Sequence, residues 1–198
     1  MITKGYILLL CFIASVCCEV TLPGPCPNIP APANFSWKKM EGSWYVLKET
    51  KDENGDLENC PVDTYIFRDN SSVTYLNGFH LGGYTRGEGG PGLIDQSQPN
   101  KITIKFTPTG KSFDRYVVDT DYENYAVLIG CKEKKGNHLI HAKLLTKSQT
   151  PPAQSKLAAY LAVQNLGVPV TSLINNYDQY SYCNGYPDSK ANRGKSQS

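Results

Sequence analysis

Little in this sequence points toward catalysis or nucleic acid. Of its 198 residues only 19% are charged, three are histidine, two are tryptophan and two are methionine. The 20 lysines and arginines nearly balance 18 acids, for a net charge of +2, and no basic run exceeds a pair. A nucleic-acid footprint is therefore not expected. Past residue 14 no apolar run nears the roughly 20 residues needed to cross a bilayer, so no membrane span is expected. No internal repeat is visible. The chain is too short for a two-domain enzyme and, at 40% hydrophobic residues, too apolar for a disordered tail. One domain with a sizeable core is the expectation. What is abundant is tyrosine, 13 residues, beside 17 glycines and 13 prolines. Tyrosine suits strands and pocket walls, apolar along the ring and polar at the tip.

Residues 1–18 read as a secretory signal peptide. Lys4 gives a positive start, residues 6–14 are apolar but too short to span, and small residues at 15–18 precede Glu19. Cleavage removes one lysine and no acid, leaving 19 cations against 18 acids, or +1. The expected product is secreted and extracellular, with a domain over 19–187 and a polar tail at 188–198. Cys11, Cys17 and Cys18 leave with the leader, so four cysteines remain: Cys26, Cys60, Cys131 and Cys183. An even set in an oxidising compartment reads as two disulfides, with three pairings open. Every spacing exceeds thirty residues, which does not suit zinc, and no metal site is expected. Asn34 and Asn70 begin glycosylation sequons, at 34–36 and 70–72.

Between these landmarks the chain reads as short strands. Segments 44–50, 60–68, 73–79, 101–106, 115–120, 125–131 and 138–146 carry strand composition bounded by turn signals. Strict alternation in 101–106 puts Ile102, Ile104 and Phe106 on one face, and Asp63, Tyr65 and Phe67 share a face of the second segment. Six glycines in 82–92 make a weak fourth strand. The proline-rich stretch 22–33 should be irregular. Residues 152–166 read as a helix with Leu157, Tyr160, Leu161 and Gln164 at helical spacing and Gly167 past its end. Eight strands then one helix argue an all-β barrel or sandwich.

Three stretches resemble, in order, the motifs of the lipocalin family. Residues 34–45 run into Gly42-x-Trp44, 119–126 contain Asp121-Tyr122-Glu-Asn-Tyr125, and Leu144-Leu-Thr-Lys147 closes the last strand. The string at 120–126 is similar to apolipoprotein D and the arthropod bilin-binding branch. Over about residues 26–183 the resemblance implies an eight-stranded antiparallel up-and-down barrel with one C-terminal helix packed outside. It implies a closed end built on Gly42, Trp44, Thr120, Asp121, Tyr122 and Lys147, with Trp44 as the plug. Lys147 stands where the family carries arginine. A lysine over the indole still supplies ~0.5–2 kcal/mol of cation–π attraction, without arginine's planar fork. The resemblance also implies the pairing Cys26–Cys131 and Cys60–Cys183.

In this family function lives in the cavity. The expected lining is Tyr65, Phe67, Ile102, Ile104, Phe106, Tyr116, Val118, His141 and Lys143. On the last strand Ile140, Ala142 and Leu144 should lie under the helix, turning His141 and Lys143 inward, where Lys143 could hold a ligand carboxylate. The resemblance thus implies a secreted carrier of a small hydrophobic ligand: a bilin or other pigment, a fatty acid, a retinoid or a steroid-like molecule. No cofactor is required for this role, and no catalysis is expected because the mature cysteines have assigned partners. A haem carrier would need His80, His138 or His141 as an axial ligand. The alternative is a salivary-type lipocalin that binds host proteins or small amines, giving an extracellular protein partner.

Overall fold

The computed structural model describes residues 20–51, 60–81 and 84–176, with backbone only at 79–81 and 84–86. The expected signal peptide at 1–18, Cys183 and the expected tail at 188–198 lie outside these residues. Eight antiparallel strands run up and down in sequence: β2 (Gly42–Glu49), β3 (Val62–Phe67), β4 (Ser72–Leu81), β5 (Tyr84–Ile94), β6 (Lys101–Lys105), β7 (Ser112–Thr120), β8 (Tyr125–Lys134) and β9 (Asn137–Thr146). Pairing of β9 with β2 closes the sheet into a barrel, which leaves neither barrel strand as a free edge at that seam. Two short strands extend it: β1 (Val20–Pro23) on β9 and β10 (Ile174–Asn175) on β2.

Strand parity divides the side chains into two cores. One fills the barrel and includes Trp44, Val46, Tyr65, Phe67, Val73, Tyr75, Ile102, Ile104, Val117, Leu128 and Leu145. The other lies between the barrel wall and helix α1 (Ala153–Gln164), where Ile140, Ala142 and Leu144 meet Ala159 and Val163. These are the wall residues expected under the helix.

Three expectations need correction. The lead-in is not irregular throughout, because Leu22 and Pro23 belong to β1. That strand pairs with β9 at 137–140, the part of its edge that β2 leaves open, and proline falls at its last position. From Tyr84 onward the glycine-rich segment belongs to a full strand, β5. A Cβ on Gly89 would fall onto the Tyr75 carbonyl oxygen, and one on Gly92 would come within 2.9 Å of Ile102 and Val73. Glycine there permits close approach instead of breaking the ladder. The helix also turns a different face inward. Ser155, Ala159 and Val163 are buried, whereas Leu157 and Leu161 are 58% and 49% exposed. Small side chains let the helix sit close against the wall, and the leucines are left outside.

Candidate functional site

The closed end forms first from local chemistry. A 3-10 turn at Trp37–Met40 leads into Gly42, whose φ of +100° is one that side-chain-bearing residues rarely adopt. Trp44 is fully buried and donates its indole N–H to the Met40 carbonyl at 2.8 Å. The Lys147 ammonium lies 3.7 Å from the Trp44 ring centroid and donates to the carbonyls of Ser43 and Glu41 at 3.3 and 3.4 Å. Across the same end, Asp121 accepts from the backbone N–H groups of Glu123, Asn124 and Tyr125. Those bonds hold its carboxylate below its ordinary range against the opposing effect of burial. Thr120 caps the Tyr125 carbonyl at 2.7 Å, and Tyr122 stacks on Phe35, with 6.1 Å between the rings. All six residues assigned to the closed end thus meet there.

Above the plug the interior is aromatic. Trp37, Tyr65, Tyr75 and Phe113 follow one another with centroids 6.0, 5.5 and 6.2 Å apart, and Phe106 continues the series 6.2 Å beyond Phe113. Tyr65, Phe67, Ile102 and Ile104 face this interior. Phe106 lies just past β6 and is half-buried. Tyr116 and Val118 do not line the barrel; they pack in the core beneath α1. Val117 is the inward residue of β7, and a bulge between Val117 and Asp119 puts Val118 outside beside Tyr116.

A polar cluster lies inside the barrel among the aromatic rings, with Tyr75 common to both. Asp63 is 1% exposed and its Oδ1 accepts from the Tyr75 hydroxyl at 2.8 Å, the Asn77 amide at 3.2 Å and the Lys143 ammonium at 3.2 Å. Lys143 is therefore inward as expected, yet its charge already faces an internal carboxylate. Beside it Arg115 donates to His141 Nδ1 at 3.2 Å, and His141 Nε2 lies 3.5 Å from Glu49 Oε2. Arginine can only donate, so Nδ1 accepts, and the imidazole is neutral with its proton on Nε2, directed at Glu49. Burial pushes the His141 pKa down, with Glu49 opposing. Burial pushes Glu49 up, but the hydrogen bond from His141 and the nearby Lys143 charge hold it below its ordinary value. Asn176 supplies a further bond to Glu49 at 2.9 Å.

Glu49, Asp63, Tyr75, Asn77 and Arg115 were absent from the expected lining. Asp63 was legible, since it alternates with Tyr65 and Phe67 and so brings a carboxylate inside opposite an inward lysine. Glu49 was not. A bulge between Val46 and Lys48 reverses the parity of β2, turning Glu49 toward Lys143 and Lys48 out over Tyr160.

The other expected positions lie elsewhere. His138 is outside the barrel, with Nδ1 2.9 Å from the Gly24 carbonyl, and the His80 side chain is outside the described residues. Cys26 is joined to Cys131, and Cys60 is also disulfide-bonded. Asn34 and Asn70 are both exposed. Two cavities, of about 160 and 320 Å³, flank the lead-in on the outer surface: one beside Cys26, Ile29 and Tyr116, the other beside Gly24, Pro25 and Lys134. Among the described residues no cluster of metal-binding side chains and no helix long and apolar enough to cross a membrane is found.

This geometry agrees with known proteins. Residues 41–179 match the model of the Lipocalin / cytosolic fatty-acid binding protein family, and the chain belongs to that family. Apolipoprotein D of Mus musculus is 30% identical over 110 residues, 54% of this chain and 58% of that relative. Insecticyanin-B of Manduca sexta is 26% identical over 147 residues, 70% of each chain. The chain thus spans little more than half the length of the apolipoprotein D relatives it matches. Two solved structures share the fold. Insecticyanin from the tobacco hornworm aligns with a TM-score of 0.67 at 23% identity, over 80% of this chain and 88% of that one. Lobster apocrustacyanin A1 aligns at 0.66 and 20%, over 78% and 89%.

Proposed function

We propose that the mature protein is a secreted carrier that binds a small hydrophobic ligand inside the barrel and performs no chemistry on it. The observation that carries this reading is the inner wall itself. Tyrosine, phenylalanine and isoleucine rings and chains from β3, β4 and β6 face one another above a tryptophan plug. Such a wall takes apolar surface out of water at ~25 cal/mol per Å², with few polar groups left to orient the ligand. Family membership supports the same role, and the ligand classes it suggests are bilins, fatty acids, retinoids and steroid-like molecules. All three described cysteines are in disulfides, so none is available as a nucleophile. The amine-binding alternative gains no support, since Asp63 and Glu49 are already engaged by Lys143 and His141.

Titration with the neutral fluorescent probe N-phenyl-1-naphthylamine tests the proposal. Saturable binding at one site per chain, displaced by long-chain lipids, is expected. Absence of saturable binding would overturn the carrier reading.

A further inference from the structure

Inside the barrel, β3 and β4 present four polar side chains as two facing pairs: Tyr65 opposite Tyr75, and Asp63 opposite Asn77. Facing residues lie about 5 Å apart at Cβ and successive inward residues about 7 Å apart along a strand, so the four side chains form one polar patch on the inner wall. The charges in this patch are spoken for. Asp63 Oδ1 alone accepts from three donors, one of them Lys143. Arg115 is turned to His141 and lies 4.6 Å from the Phe113 ring centroid.

Two neutral atoms are left over. The Tyr65 hydroxyl and the Asn77 side-chain oxygen are buried and have no partner among the described residues. The orientation of Asn77 follows from its neighbour: a carboxylate only accepts, so the amide nitrogen must face Asp63 and the oxygen must face away. Phenylalanine would fill the place of Tyr65 without burying an unpaired hydroxyl, which is normally avoided. Across from Asn77 on β5, register puts Glu88 on the same face, exposed, adding a further negative charge on that side.

We infer that this patch selects a neutral ligand head carrying one hydrogen-bond acceptor, held by the Tyr65 hydroxyl, and one donor, held by the Asn77 side-chain oxygen, in preference to a carboxylate. The inference rests on the carrier reading and gives it a substrate class: apolar molecules ending in an amide, a lactam or a comparable neutral donor–acceptor group. It reverses the role that parity alone suggests for Lys143.

The test uses one alkyl chain with three heads, in competition against N-phenyl-1-naphthylamine. Palmitamide should displace the probe at least tenfold more tightly than palmitate and several-fold more tightly than methyl palmitate, which accepts but cannot donate. Tyr65→Phe should weaken palmitamide and methyl palmitate by about three- to tenfold, the range for one neutral hydrogen bond, and leave the probe unchanged. Asn77→Leu should bring palmitamide down to the level of methyl palmitate. Palmitate binding as well as or better than palmitamide would overturn the inference while leaving the carrier standing. Unchanged palmitamide affinity in Tyr65→Phe would do the same. Failure of the probe itself to bind would remove the carrier reading and this inference with it. The ranking of heads on the unaltered protein needs no variant to fold.

Discussion

Replacing Lys143 with methionine separates two roles for one residue. As a ligand contact, the lysine would leave the stability of the free protein nearly untouched when removed. As the partner of Asp63, it would not. The ammonium is 3.2 Å from Asp63 Oδ1 and 3.4 Å from Oδ2, and the side chains are 6% and 2% exposed. At that distance two unit charges attract by about 5 kcal/mol at an effective dielectric of ~20. Desolvation of both ions offsets much of this in the intact pair, so the pair's net contribution is small. Removing one partner is different, because among the described residues it leaves a buried carboxylate holding the Tyr75 hydroxyl and the Asn77 amide and no cation. We expect Lys143→Met to cost ~3–5 kcal/mol in urea unfolding, with an unchanged m-value. Methionine nearly matches the lysine stem in shape, so little of that loss is packing.

Removing the carboxylate as well should restore most of the stability. The double variant Asp63→Leu with Lys143→Met is expected within about 1–2 kcal/mol of the parent, as for other buried pairs replaced by apolar side chains. The cycle then yields a coupling of ~2 kcal/mol or more between the two sites. Lys143→Met within about 0.5 kcal/mol of the parent, together with additive single effects, would refute the buried pair and return Lys143 to the ligand.

Trp44→Ala should cost ~3–5 kcal/mol by chemical denaturation, as a large-to-small change at a fully buried plug. Lys147→Met should cost ~1–2 kcal/mol in the same assay, from the lost cation–π contact and the bonds to Ser43 and Glu41, and Lys147→Arg should recover most of it. Stability should fall on acidification. His141 is depressed in the folded state, so its contribution is complete above about pH 6.5, where the unfolded imidazole is also neutral, and shrinks as pH falls below that. Glu49 is depressed too, so its contribution is lost at lower pH, as pH falls from about 4.5 through its folded value. Thermal melts between pH 7.5 and about 2 should show both losses, and His141→Gln should flatten the upper one. Peptide mapping without reduction should join Cys60 to Cys183; recovery of Cys60 with any other cysteine would overturn that pairing.

The strands were legible because each needs only a short alternating pattern and a turn at either end. The closed end was legible through its resemblance to the lipocalin motifs, which are short strings with local chemistry: a glycine at positive φ, a tryptophan two residues on, an aspartate gathering three backbone donors. What escaped were features set by contact between segments distant in sequence. Glycines in β5 weaken a strand when read alone, yet they let β4 and β6 approach. The leucines of α1 make the stronger apolar stripe, but helix and wall meet more closely through Ser155, Ala159 and Val163.

The polar cluster shows the same limit in its sharpest form. Alternation carries Asp63 and Lys143 inward on strands eighty residues apart, and closure of the barrel then brings them together. A bulge in β2 adds Glu49, which simple alternation would have placed outside. Read singly, an inward lysine implies a counter-charge brought by the ligand. Once the barrel closes, that counter-charge is Asp63, and the Tyr65 hydroxyl and the Asn77 oxygen are left without a partner among the described residues. Which polar atoms remain unpaired after folding, the basis of the neutral-head proposal, is a property of the closed sheet and not of any one strand.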